Sequence, residues 1–139
     1  MEDCIFCKIV REELPSYKIY ETESVLAFLD INPAAPGHTL IIPKIHYENI
    51  FSMPEGLLGQ MAEAARLVAL KMKESLGVAA VNLYHASGQE AEQTIFHAHL
   101  HVIPRKEGDE IAFTKAVAGK GALPPEQFLD LVSKLKIGE

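Results

Sequence analysis

An α+β fold is predicted, with a five-stranded antiparallel sheet, one long helix and a short C-terminal helix. Three observations lead there. Strand-like segments come in consecutive groups, a single long helical period interrupts them, and no internal repeat or linker divides the chain. A wound parallel sheet would instead alternate strands with helices. At 139 residues the chain is expected to form one domain, with a motif-bearing core at 4–105 and a C-terminal tail at 106–139.

The first residues, through Leu14, read as a short helical turn and an entry loop that ends at Pro15. From Tyr17 to Asp30, β-branched and aromatic side chains predict two strands joined by a polar turn near Glu21-Thr22-Glu23-Ser24. Asn32 to Gly37 holds two prolines and a glycine in six residues, which is loop chemistry. His38 to Pro43 then reads as a buried strand. Pro54-Glu55 opens the long helix, whose Leu57, Met61, Ala65, Val68, Met72 and Leu76 recur at three- and four-residue steps. Gly77 is placed to end it. Val78 to His85 and Phe96 to Ile103 are the remaining strands, with a polar loop from Ala86 to Gln93 between them. After Pro104 the chain carries no strong period until Pro124-Pro125-Glu126, which starts a short helix using Phe128, Leu129, Val132 and Leu135.

Composition narrows the function classes. Hydrophobic residues make up 48% and charged residues 23%, the proportions of an ordinary globular protein. No apolar run is long enough for a membrane span and the start carries no signal-like segment, so the cytoplasm is the default address. A formal charge of −6 weighs against a nucleic-acid partner, because backbone binding draws on a basic surface. Only Cys4 and Cys7 occur, so this is no disulfide scaffold.

The chemistry concentrates in His97-Ala98-His99-Leu100-His101. Alternate side chains of a strand share a face, so this spacing lines up three imidazoles, with Ala98, Leu100 and Val102 behind them. A partly exposed strand carrying His by chance is the blandest reading. A catalytic zinc site is the second, although no Asp or Glu is interleaved to act on a bound water. Nucleophilic catalysis is the third. Neutral imidazole attacks phosphorus when one ring nitrogen is held by a hydrogen bond and the other is free.

The row resembles the signature of the histidine-triad superfamily of nucleotide hydrolases and transferases. Phe28-Leu29-Asp30-Ile31, the run from Pro36 to Lys44, and Gln93-Thr94-Ile95-Phe96 resemble that family's other landmarks, in order. The likeness spans about Cys4 to Arg105 and is greatest to the bacterial purine-nucleoside-phosphoramidase-like branch.

The resemblance implies a homodimer that binds an AMP-like purine nucleotide. It implies hydrolysis at the α-phosphorus of nucleoside phosphoramidates or dinucleoside polyphosphates, through a covalent nucleotidyl-histidine. His99 is then the nucleophile and His101 contacts the phosphate or leaving group, with His38 as a separate fourth histidine. Gln93 and Thr94 would grip the α-phosphate beside Asn82, and Asp30 would accept from the ribose hydroxyls. Ile5, Phe6, Ile9, Phe28 and Ile31 would wall the base. Cys4, Cys7, His46 and His97 match a structural zinc site of some bacterial members, with no metal required for the chemistry. One departure stands out: Glu92 occupies a position where the family usually has Gly, beside the phosphate-gripping pair. A nucleotide-binding regulatory or scaffold protein with little turnover, and a zinc hydrolase, are the rival readings.

Overall fold

The computed structural model of the chain describes residues 3–111 and 123–136. The chain divides into one unit ending at Asp109 and another beginning at Glu110. In the first unit the order is α1 (Ile5–Val10), β1 (Lys18–Glu21), β2 (Val25–Leu29), β3 (Thr39–Pro43), α2 (Leu57–Leu76), β4 (Ala80–Tyr84) and β5 (Leu100–Arg105). Single 3-10 turns at Ile50–Ser52 and Gln89–Ala91 interrupt the loops. The five strands form one antiparallel sheet in the order β1-β2-β3-β5-β4, as the grouping of strands predicts. No helix among the described residues is long and apolar enough to cross a membrane.

Both faces of the sheet are covered, and each strand divides its side chains between them. On one face α2 buries Leu57, Met61, Ala64, Ala65, Val68 and Met72 against Val25, Ala27, Ile41, Leu100 and Val102. That stripe is the period read from the sequence, except that Ala64 joins it and Leu76, in the last turn, is exposed. Gly77 closes the helix at φ 66°, a left-handed conformation that costs glycine little. On the other face Phe6 of α1 packs with Leu26, Phe28, Leu40 and Ile42. The short N-terminal helix thus roofs the face on which the histidines lie.

Three strands differ in their limits from the sequence reading, and the first is β3, which begins at Thr39 and not at His38. β4 is confined to Ala80–Tyr84, inside the expected 78–85. β5 begins at Leu100, not at Phe96, and runs on to Arg105. The cause is local. Ala98 N–H donates to the carbonyl of Tyr47 at 2.7 Å, a loop partner, so residues 97–99 approach the sheet without joining its ladder.

In the second unit α3 (Pro125–Leu135) has Pro at its start and an ion pair of 2.9 Å between Lys134 and Asp130. Its Phe128, Leu129, Val132 and Leu135 are exposed. Most of the aperiodic stretch before it, 112–122, lies outside the described residues.

Candidate active site

The ladder fixes where the histidines fall. His101 sits between Leu40 of β3 and Tyr84 of β4, on the Phe6 face. His99 and His97 precede the strand but keep its alternation. Phe6 meets both rings edge-on, at centroid distances of 5.3 Å from His99 and 5.7 Å from His97. The rings of His99 and His101 lie 5.0 Å apart. The shared face survives even though two of the three histidines lie outside the strand.

Hydrogen bonds assign each ring its tautomer. An imidazole facing a carbonyl must donate, which leaves its second nitrogen with a free lone pair in the neutral ring. Nδ1 of His99 donates to the carbonyl of His97 at 2.8 Å. Its Nε2 therefore carries the lone pair, and takes no hydrogen bond among the described residues. Burial lowers the His99 pKa from the ordinary histidine value, with the Nδ1 bond opposing, so the neutral ring is favoured.

His38 and His101 form a directed pair. Ala34 N–H donates to Nδ1 of His38 at 2.9 Å, so the proton of neutral His38 resides on Nε2. That Nε2 lies 2.8 Å from Nδ1 of His101 and donates to it. His101 is left with Nε2–H as an outward donor. Burial pushes its pKa down to about 4, helped by His99 and His38. Burial also lowers His38, against the pull of Asp30. The Asp30 carboxylate lies 3.6 Å from His38 and accepts from Asn32 N–H at 2.8 Å. Asp30, His38 and His101 are close enough to invite a metal, but the proton on His38 Nε2 joins His38 to His101 in a hydrogen bond, with the Asp30 carboxylate 3.6 Å from the same nitrogen.

His97 faces a different group. Its Nε2 donates to the carbonyl of Pro43 at 2.8 Å. Nδ1 thus presents its lone pair to His46 Nδ1 at 3.2 Å, Cys4 Sγ at 3.4 Å and Cys7 Sγ at 3.5 Å. Cys7 Sγ and His46 Nδ1 are 3.3 Å apart. Tetrahedral zinc with bonds of about 2.0–2.3 Å needs donors about 3.3–3.8 Å apart. Two thiols and two imidazoles at these separations fit zinc well.

The other expected residues are spread unevenly. Phe6 and Phe28 are buried in edge contact, with centroids 5.6 Å apart, and Ile9 packs against their cluster. Ile5 and Ile31 are exposed. Asn82 lies on the His101 face of β4, opposite Ile103, and accepts from the Arg105 guanidinium. Thr94 is exposed. Gln93 is buried with its amide fully engaged: Oε1 accepts from Gly88 N–H at 2.7 Å, and Nε2 donates to the carbonyls of Glu48 and Ile95. Glu92 is exposed and holds φ 69°, the left-handed conformation that a glycine would take at little cost.

A further set escaped the sequence reading. Pro43, Tyr47, Glu48 and Ile50 bind His97, Ala98, Gln93 and Ser87 through main-chain groups. Main-chain contacts leave no mark in residue type. His85 also joins the site, donating from Nδ1 to the carbonyl of His99 at 2.9 Å. A single His at the end of a strand carries no signal that would have found it.

The HIT domain matches residues 11–108. A protein of Borreliella burgdorferi named as an uncharacterized HIT-like protein is 43% identical over 139 residues, 99% of each chain. Adenylylsulfatase HINT3 of Arabidopsis thaliana is 43% identical over 107 residues, 77% of this chain and 54% of that protein. The crystal structure of a Zn-bound histidine triad family protein from Mycobacterium smegmatis aligns with a TM-score of 0.77 and 40% identity, covering 81% of each chain. The matched region holds every strand and every histidine of the site, and the chain belongs to the histidine-triad, or HIT, family of nucleotide-binding proteins and hydrolases.

Proposed function

We propose that the protein hydrolyses the α-phosphorus bond of purine nucleoside phosphoramidates or dinucleoside polyphosphates through a nucleotidyl-His99 intermediate. The observation that carries this is the bond from His99 Nδ1 to the His97 carbonyl, which leaves Nε2 as a free lone pair. In the first displacement Nε2 bonds to phosphorus while the leaving group departs with the electron pair of its own bond and a proton taken up from solvent. In the second, a water oxygen displaces His99 and its proton returns to solvent. His101 contributes Nε2–H as a neutral donor to a phosphoryl oxygen or to the leaving group, where negative charge gathers. Its depressed pKa keeps it a neutral donor at pH 7.

Asp30 would take the ribose hydroxyls, and Phe6, Phe28 and Ile9 would face the base with Ile5 and Ile31 at the rim. Thr94 and Asn82 would meet the phosphate, while Gln93, with its amide engaged, would shape the loop behind them. Zinc would be held by Cys4, Cys7, His46 and His97, neutralised by the two thiolates, and would brace the start of the histidine row. It takes no part in bond breaking. The purine base, the AMP-like product and a homodimeric assembly enter this reading through the family resemblance.

Mass spectrometry of protein quenched during turnover of adenosine phosphoramidate tests it. A nucleotidyl group on His99, absent from His99→Ala, is the expected result. Tight AMP binding with no adduct and no turnover would replace this reading with a binding protein. Loss of turnover on zinc removal from a still-folded protein would favour a metal hydrolase.

A further inference from the structure

We infer that His85 is a positioning residue for the nucleophile, a role that rests on His99 being that nucleophile. The register of the β4–β5 ladder shows why one is needed. Pairing ends at Tyr84 opposite His101, so the next main-chain partner of the His99 carbonyl would be at Ala86. That pairing is not made. An imidazole takes its place, with Nδ1 of His85 donating to the His99 carbonyl at 2.9 Å.

The imidazole is itself held from behind. Ile50 N–H donates to Ser87 Oγ at 3.0 Å, which turns the Ser87 hydroxyl proton toward Nε2 of His85. Nε2 accepts, so the ring proton of neutral His85 is fixed on Nδ1, where the His99 carbonyl receives it. His99 is thereby gripped at both ends. Its ring is held by the carbonyl of His97, and its own carbonyl is held by the ring of His85. The chain Ile50–Ser87–His85 aims Nε2 of His99 while residues 97–99 stay off the ladder. His85 reaches no phosphorus and does not react.

Misplacing a reacting atom by about 1 Å costs about a hundredfold in rate. His85→Leu is therefore expected to lower the rate of nucleotidyl-His99 formation by about tenfold to a hundredfold, with the AMP dissociation constant unchanged. His85→Gln, which keeps an amide donor, is expected to recover most of the loss. Ser87→Ala, which frees the ring tautomer but removes little bulk, should give a smaller loss in the same direction. Independently of activity, 15N NMR of the wild-type ring should show His85 protonated on Nδ1.

Equal rates of adduct formation in wild type, His85→Leu and Ser87→Ala would overturn the inference, as would a ring protonated on Nε2. If His85→Leu fails to fold, Ser87→Ala and the NMR tautomer decide. Absence of any adduct in the wild type would instead count against the nucleophile assignment.

Discussion

Nε2 of His38 lies 2.8 Å from Nδ1 of His101, and the Ala34 N–H bound to His38 Nδ1 decides which ring owns the proton between them. His38 donates and His101 accepts, so His101 must show its remaining N–H to the site. A main-chain amide thus selects the tautomer of a ring beyond its own reach.

Removing that outward donor should act on turnover more than on binding. His101→Ala is expected to lower kcat by about 10²–10³-fold with a small change in KM. His38→Phe, which leaves the His101 tautomer unset, should lower kcat in the same direction. Steady-state kinetics on adenosine phosphoramidate check both, and an unchanged kcat in His101→Ala would contradict the donor role.

Burial of His101 also predicts a pH dependence of stability. The folded pKa is about 4, against 6.5 for the ordinary ring. Above 6.5 the ring is neutral in both states, so nothing is lost there. Below it the unfolded chain takes up a proton that the folded chain refuses, and stability falls until the pH reaches about 4. The full loss is about 3 kcal/mol. Urea unfolding of the wild type should trace this fall between those limits, and His101→Gln should show a shallower one.

The Cys4, Cys7, His46 and His97 cluster predicts metal content and stability together. Cys7→Ser should lose zinc by elemental analysis. Structural zinc sites contribute about 10–16 kcal/mol of binding free energy to folding, so even a fraction of that lowers Tm by about 10 °C. At a temperature where the variant remains folded, kcat should stay within about tenfold of wild type, because His99 and His101 are not ligands. A protein that carries no zinc, or whose Tm ignores it, would exclude the structural role.

Glu92 offers a test in the opposite direction. A non-glycine residue at φ 69° carries strain, so Glu92→Gly should stabilise the fold by about 1 kcal/mol, less the entropy gained by the unfolded chain. A lower urea midpoint in Glu92→Gly would mean that the Glu92 side chain makes a contact worth more than the strain.

How much of this was legible depended on where the determinants lie. The α2 stripe and its Gly77 stop were readable because side-chain period and backbone freedom are written in residue type. The common face of His97, His99 and His101 was readable for the same reason. The start of β5 was not. It is decided by Ala98 N–H choosing the Tyr47 carbonyl, and any residue but proline supplies that N–H. Gln93 and Thr94 were read as a phosphate-gripping pair from the family resemblance, whereas the fold buries the Gln93 amide in the loop and leaves Thr94 exposed. His85 was invisible because its task is set by where the β4–β5 ladder stops.

The grip that Pro43 and Tyr47 hold on the histidine segment, and Glu48 and Ile50 on the loop before it, is made by main-chain groups. Side chains along this stretch, such as exposed Ile45 and Phe51, can therefore diverge while the scaffolding of the chemistry stays put. Evolution can repaint this rim for new neighbours or new leaving groups without rebuilding the nucleophile beneath it.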